Sequence, residues 1–126
     1  MMNKKRPKHL ALHKIKLPLP GFVSILHRVS GVFLFFALPL FLWMLQASTR
    51  SIETYTQLVE ILKYPLSKLV LLGLLWSLLH HFFAGIRYLA LDLHLISSLA
   101  RARSSSQGVM GVSLLLTVLI GVRWIW

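Results

Sequence analysis

The sequence predicts an all-α membrane protein with three transmembrane helices, a cytoplasmic N-terminus and a short interfacial helix in the first loop. Apolar residues form 56% of the 126 residues and charged residues only 13%, against roughly 25% charged residues in an average soluble domain. The 14 Lys and Arg residues outnumber three acidic residues, which gives a net charge of +11. We expect one membrane-anchor domain, 1–126, with a basic cytoplasmic arm over 1–21 and spans at about 22–47, 66–91 and 106–126.

Three long apolar runs supply the predicted spans. They cover Gly31 to Ala47, Leu69 to Ile86, and Gly108 to Val122 with a continuation to Trp126. A spanning helix needs about 20 mostly apolar residues. The third run reaches that length only if Arg123 extends its charged end toward the interface. The alternative is a soluble bundle with three buried helices, which the lack of a polar face on each run disfavours.

The positive charges predict the orientation of these spans. Cytoplasmic loops are enriched in Lys and Arg. The N-terminal arm holds six of these residues and no acid, while the second loop carries Arg87, Arg101 and Arg103. The N-terminus and the second loop are therefore expected on the cytoplasmic face, and the first loop and C-terminus on the opposite face.

A short amphipathic helix is predicted inside the first loop. Apolar residues recur there at helical spacing, namely Ile52, Tyr55, Leu58, Val59 and Leu62. Ser51 is a suitable N-cap, and Pro65 ends the pattern. We expect this helix to lie in the membrane interface.

Two adjacent histidines, His80 and His81, lie inside the second apolar run. Ionisable residues at membrane depth are costly, so each requires a reason. Small residues share the helix face of His81 at intervals of four, namely Gly73, Ser77 and Gly85. Such a face lets a second helix or a flat cofactor approach closely. His81 is therefore the better candidate ligand, and a neutral imidazole suits haem iron. The alternative is a histidine that hydrogen-bonds a neighbouring helix.

Polar residues also cluster at the start of the first span. Ser24, His27, Arg28 and Gly31 follow the spacing i, i+3, i+4 and i+7, which places them on one helix face. A hydroxyl, an imidazole and a guanidinium together suit the carbonyl oxygens of a quinone or the carboxylates of a cofactor. The alternative is an Arg side chain that contacts lipid phosphate.

The two polar clusters carry sequence signatures of a known family. Ser24-Ile-Leu-His-Arg-Val-Ser-Gly31 resembles the SxxHRxxG signature of the cytochrome b subunit of succinate dehydrogenase, and His81 to Asp92 resembles its second signature, H-xxx-GIRH-xxx-D. The resemblance covers essentially the whole chain. It implies a large membrane-anchor and electron-transfer subunit of respiratory complex II in the bacterial inner membrane, with a periplasmic C-terminus.

The resemblance further implies partners and cofactors. A second hydrophobic anchor subunit would share one b-type haem with this chain, and a flavoprotein and an iron–sulfur subunit would dock on the cytoplasmic face. Ubiquinone would be the substrate reduced at a site that this chain helps to form. The chain would belong to an enzyme, succinate:quinone oxidoreductase, without holding a complete active site.

Residue roles are implied in the same way. His81 matches the axial haem ligand. Ser24, Arg28 and Asp92 match quinone-site positions, while His27 and Arg28 match positions near the haem propionates. Tyr88 replaces a histidine that the family often has near the haem, and a phenol cannot become cationic near neutral pH.

Two alternative functions stay open at this stage. One is a structural anchor without haem, and the other is a small oligomeric transporter or pore that places His80, His81 and Arg28 around an aqueous path. Nucleic acid is not an expected partner, because the basic residues flank the spans. The sequence has no Cys, no phosphate-binding glycine loop and no nucleophile triad, so any reaction depends on a cofactor or a partner.

Overall fold

The computed structural model describes residues 16–125, and these residues form a helical bundle. The helices are α1 (Leu19–Arg50), α2 (Ile52–Lys63), α3 (Pro65–Asp92) and α4 (Leu99–Ile120), followed by one π-helical turn, Gly121–Ile125. In the described part of the chain, three helical segments are long and apolar enough to cross a membrane: α1, α3 and α4 with its π-helical turn. The predicted all-α fold with three helices able to span a membrane is confirmed. Most of the predicted basic arm, residues 1–15, lies outside the described residues.

Prolines start the two longest helices. Pro20 lies in the first turn of α1, and Pro65 is the first residue of α3. Proline suits these positions because the first amides of a helix have no partner within the helix. Pro39 lies inside α1 and removes one backbone hydrogen bond there, yet the helix continues to Arg50.

The short helix α2 begins where the sequence predicts it. The Ser51 hydroxyl accepts a hydrogen bond from the Thr54 amide at 3.2 Å, and the Ser51 amide donates to the Thr54 hydroxyl at 3.2 Å. This reciprocal pair satisfies two amides near the helix start. The apolar spacing places Leu58 in the buried interior.

The connection between α3 and α4 is shorter than the predicted second loop, because both helices extend into it. His94 adopts a left-handed conformation with φ 58°. The amides of His94 and Leu95 donate to the carbonyls of Leu91 and Ala90, each at 3.0 Å. These two bonds form a Schellman motif that ends α3. Ser98 then accepts a hydrogen bond from the Arg101 amide and starts α4 upstream of the predicted span.

The interior of the bundle is lined largely by small residues. Val23, Ala84 and Val109 form its apolar centre. Serine and threonine hydroxyls surround it and bond carbonyls of their own helices, as in Ser77, Ser106, Ser113 and Thr117. Small residues let helices approach closely in a membrane, where van der Waals packing and interhelical hydrogen bonds drive helix association.

Candidate functional site

The site lies where the antiparallel helices α1 and α3 cross. His27 and Gly31 lie four residues apart on α1, and His81 and Gly85 lie four residues apart on α3, so each pair shares a helix face. The His81 ring lies against Gly31, and the His27 ring lies against Gly85. Each glycine thus makes room for the histidine of the opposite helix.

Three rings meet at this crossing. The imidazoles of His27 and His81 stack with their centroids 4.1 Å apart and their planes 11° apart. The Tyr88 ring lies 5.1 Å from the His27 ring at an angle of 49°. The structure therefore brings together His27, His81 and Tyr88, which the family resemblance places around one cofactor.

Hydrogen bonds determine which nitrogen of His81 carries the proton. Nδ1 lies 3.0 Å from the backbone carbonyl oxygen of His27. A carbonyl oxygen only accepts hydrogen bonds, so Nδ1 must donate. In the neutral imidazole, Nε2 then keeps its lone pair and is available as a metal ligand.

Ser30 belongs to the same network, although sequence reasoning did not single it out. Its side chain is buried, and its hydroxyl donates to the His27 carbonyl at 2.8 Å. The hydroxyl oxygen also lies 3.3 Å from Nδ1 of His81. Its spacing from the histidine of α3 depends on the helix register, so no sequence pattern points to this contact.

The polar pair at the start of α1 forms as its spacing predicts. Arg28 Nη2 donates to the Ser24 hydroxyl at 3.2 Å, and the Arg28 side chain is exposed while Ser24 is half-buried. This arrangement leaves other guanidinium N–H groups available to an oxygen-rich ligand. Asp92 is exposed at the last residue of α3, and no hydrogen bond or ion pair within residues 16–125 joins it to this pair.

Arg87 follows the histidines on α3 and is buried against α4. Its Nε donates to the Ser105 hydroxyl at 3.0 Å, and Nη2 donates to the Ala102 carbonyl at 3.4 Å. Adjacent positions on a helix point about 100° apart, so Arg87 faces α4 while its neighbour Tyr88 faces the His27 ring.

His80 is separated from the crossing for the same geometric reason. It is fully buried and stacks on Trp76, with ring centroids 5.2 Å apart. Neither ring nitrogen makes a hydrogen bond to any residue in the described range. His80 is therefore a residue of the bundle interior, whereas His81 lies in the α1–α3 crossing.

These features define a multi-pass helical membrane protein with an imidazole-rich site near one end of its first and second long helices. Residues 2–120 match the family described as succinate dehydrogenase/fumarate reductase transmembrane subunit. The chain belongs to this family, which confirms the resemblance drawn from the two signatures. It is consequently a membrane subunit of an enzyme complex that contains other subunits.

Individual relatives cover nearly the whole chain. It is 41% identical to the succinate dehydrogenase cytochrome b556 subunit of Coxiella burnetii, over 99% of this chain and 100% of the relative. Proteins of the same name from Paracoccus denitrificans and Rickettsia felis are 31% and 32% identical. These alignments cover 90% and 94% of this chain and 88% and 92% of the relatives.

Proposed function

We propose that this chain is an electron-transfer and anchor subunit of a succinate:quinone oxidoreductase, and that it shares a b-type haem with a second anchor subunit. The single observation that carries this proposal is the hydrogen bond from His81 Nδ1 to the His27 carbonyl, which leaves Nε2 as an electron-pair donor. The relatives are named cytochrome b556 subunits, which supports the same assignment.

The donor set of the chain suits a haem. No group of three or more His, Cys, Asp or Glu residues in the described range is arranged to hold a metal ion. A porphyrin brings four nitrogen ligands of its own, so one imidazole from this chain and one ligand from a partner complete the set. When bound, a haem supplies one-electron transfer. Nε2 of His81 would hold the haem iron on this chain.

Other residues of the crossing are assigned to the haem carboxylates. His27 and Tyr88 lie in ring contact and carry groups that donate hydrogen bonds. Arg28 follows His27 on α1 and donates a hydrogen bond to Ser24. Its guanidinium attracts anionic oxygens. We propose that His27, Tyr88 and Arg28 form the propionate-facing side of the haem environment.

The Ser24–Arg28 pair is proposed as the part of the ubiquinone site on this chain. The two side chains already share a hydrogen bond of 3.2 Å, so both donor groups face one region. A hydroxyl and a guanidinium orient a quinone by donating to its carbonyl oxygens. Asp92 is proposed as a further contact, supported by its exposed position at the end of α3.

The proposed assembly follows from the exposed surface and the charge distribution. Many large apolar side chains of α1, α3 and α4 are exposed, as expected for contact with lipid and a second anchor subunit. We propose an inner-membrane location in a bacterium, with the N-terminus cytoplasmic and the C-terminus periplasmic. The flavoprotein and iron–sulfur subunits would then dock beside the Ser24–Arg28 pair.

Replacement of His81 tests the haem assignment. We expect the purified complex carrying His81→Ala to lose most of its b-type absorbance, while His80→Gln in the neighbouring position retains it. Full haem content in the His81→Ala complex would reject the ligand assignment. Absence of haem from the unmodified complex would instead support the alternative of a haem-free anchor.

Two activities separate the quinone site from an assembly role. Ser24→Ala and Arg28→Leu should lower succinate-to-ubiquinone turnover by about tenfold or more, consistent with loss of a charge-assisted hydrogen bond. Succinate oxidation by an artificial electron acceptor should be unchanged. An equal loss of both activities would show that these residues support assembly rather than quinone reduction.

A further inference from the structure

The buried Ser30 has no role in the functions proposed so far. We propose that Ser30 is a positioning residue for His81, and that its hydroxyl oxygen is a second acceptor that holds the Nδ1–H side of the ring while Nε2 faces a metal. The inference rests on the proposed ligation of haem by His81. Ser30 contacts Nδ1, which lies on the opposite side of the ring from Nε2. The effect of Ser30 is therefore separable from ligation itself.

Burial makes the Ser30 contacts specific. Only 1% of its surface is exposed, so water does not compete freely for the hydroxyl. The hydroxyl hydrogen is used in the 2.8 Å bond to the His27 carbonyl. Its oxygen lone pairs then remain as acceptors beside Nδ1 of His81, at 3.3 Å.

Two acceptors consequently surround the single N–H of the His81 ring. The His27 carbonyl lies 3.0 Å from Nδ1, and the Ser30 oxygen lies slightly farther away. A carbonyl oxygen has two lone pairs, so it accepts from Ser30 and His81 together. The His27 carbonyl cannot donate, so it disfavours the opposite tautomer, in which Nδ1 would place a lone pair against it. The Ser30 oxygen adds a second acceptor to the tautomer that the carbonyl selects.

This network also affects the electronic character of the ligand. Acceptors at the distal N–H of a metal-bound imidazole orient the ring and increase its basicity. A more basic ligand stabilises the oxidised metal relative to the reduced metal. Removing the Ser30 oxygen should therefore raise the haem midpoint potential while leaving Nε2 in place.

Ser113 provides a matched control within the same bundle. Its side chain is fully buried, and its hydroxyl donates to the carbonyl three residues earlier, as the Ser30 hydroxyl does. Ser113 makes no hydrogen bond with an imidazole in the described range. A general effect of removing a buried helix hydroxyl should therefore appear equally in both positions.

The experiment compares Ser30→Ala, Ser30→Thr and Ser113→Ala in the complete complex. Haem content is measured first, followed by redox titration and low-temperature electron paramagnetic resonance. We expect Ser30→Ala to retain haem, with a higher midpoint potential and a broadened low-spin signal. Ser30→Thr restores a hydroxyl and should return the potential toward the original value, while Ser113→Ala should leave it unchanged.

The outcomes distinguish this inference from the proposed function. Equal potentials in Ser30→Ala, Ser113→Ala and the unmodified complex would overturn the role of Ser30, even if His81→Ala loses haem. Retention of haem by His81→Ala would overturn the ligand assignment itself. If Ser30→Ala does not assemble, Ser30→Cys keeps the side-chain volume with a weak acceptor, and a potential that does not rise in that variant would also overturn the inference.

Discussion

The imidazole of His81 occupies the space beside Gly31 that any other residue would fill with a side chain. A Cβ at position 31 would lie 2.9 Å from Cε1 and 3.4 Å from Nδ1 of His81. The reciprocal contact, between His27 and Gly85, is looser, with 3.9 Å from a Cβ to Nε2. The crossing of α1 and α3 thus depends more on Gly31 than on Gly85.

Substitution of Gly31 should disturb the crossing more than substitution of Gly85. Gly31→Ala should displace the His81 ring, lower haem content and cost about 1–3 kcal/mol of stability through overpacking. Gly85→Ala should have a smaller effect, because 3.9 Å is an ordinary van der Waals distance. Thermal denaturation of the purified complex, followed by haem absorbance, measures both quantities.

Gly73 serves as the control for these glycine variants. It lies on α3 and would place a Cβ in open space. Gly73→Ala should be neutral or stabilising, since alanine favours the helix by up to about 1 kcal/mol. If Gly31→Ala and Gly73→Ala have the same haem content and melting temperature, the close contact at Gly31 is unimportant.

The buried guanidinium of Arg87 should be a structural link between α3 and α4. Arg87→Gln removes the donors to Ser105 and Ala102, and hydrogen bonds from charged groups contribute roughly 1.5–3 kcal/mol. We expect a lower melting temperature for the variant complex, whereas Arg101→Gln at an exposed position should stay within about 0.5 kcal/mol of the original. Similar melting temperatures for the two variants would contradict a linking role.

The start of α2 depends on the Ser51 cap. Ser51→Ala should destabilise the helix by about 1 kcal/mol, which corresponds to roughly fivefold faster hydrogen exchange of the α2 amides if they exchange by local opening. Ser48→Ala is the comparison, because the Ser48 hydroxyl bonds the Leu45 carbonyl within α1. Mass spectrometry of α2 peptides measures this exchange. Equal exchange rates of the α2 amides in both variants would refute the capping role.

His94 holds a backbone conformation that favours glycine. Left-handed geometry costs a non-glycine residue about 1–2 kcal/mol. Glycine avoids this cost but loses more chain entropy on folding, which offsets roughly 0.5–1 kcal/mol of the gain. His94→Gly should therefore stabilise the chain by up to about 1.5 kcal/mol in thermal unfolding. Ser97→Gly, outside the left-handed region, should be slightly destabilising, and a destabilised His94→Gly would contradict this account.

The helices were predictable because their signals are local. The apolar runs, the Ser51 cap and the prolines at helix starts act within a few residues of where they stand in the sequence. The apolar runs do not show how far the helices continue into the polar second loop. The Schellman motif at His94 and the cap at Ser98 continue the helices into that region.

The contacts of the site were only partly predictable. The spacing of Ser24 and Arg28 on one helix predicts their hydrogen bond, which forms. The contacts of His81 with Ser30 and Gly31 depend on the register between α1 and α3, which no local pattern specifies. The contact of Arg87 with Ser105 likewise depends on which face of α3 packs against α4.

Imidazole rescue tests most directly the proposed ligation of a metal by Nε2 of His81. The reduced-minus-oxidised absorbance of the complete complex is recorded for His81→Gly, with and without added imidazole. The proposed ligation predicts loss of the low-spin b-type band in His81→Gly and its return when imidazole binds in place of the missing ring. A band that is unchanged by His81→Gly would contradict the claim.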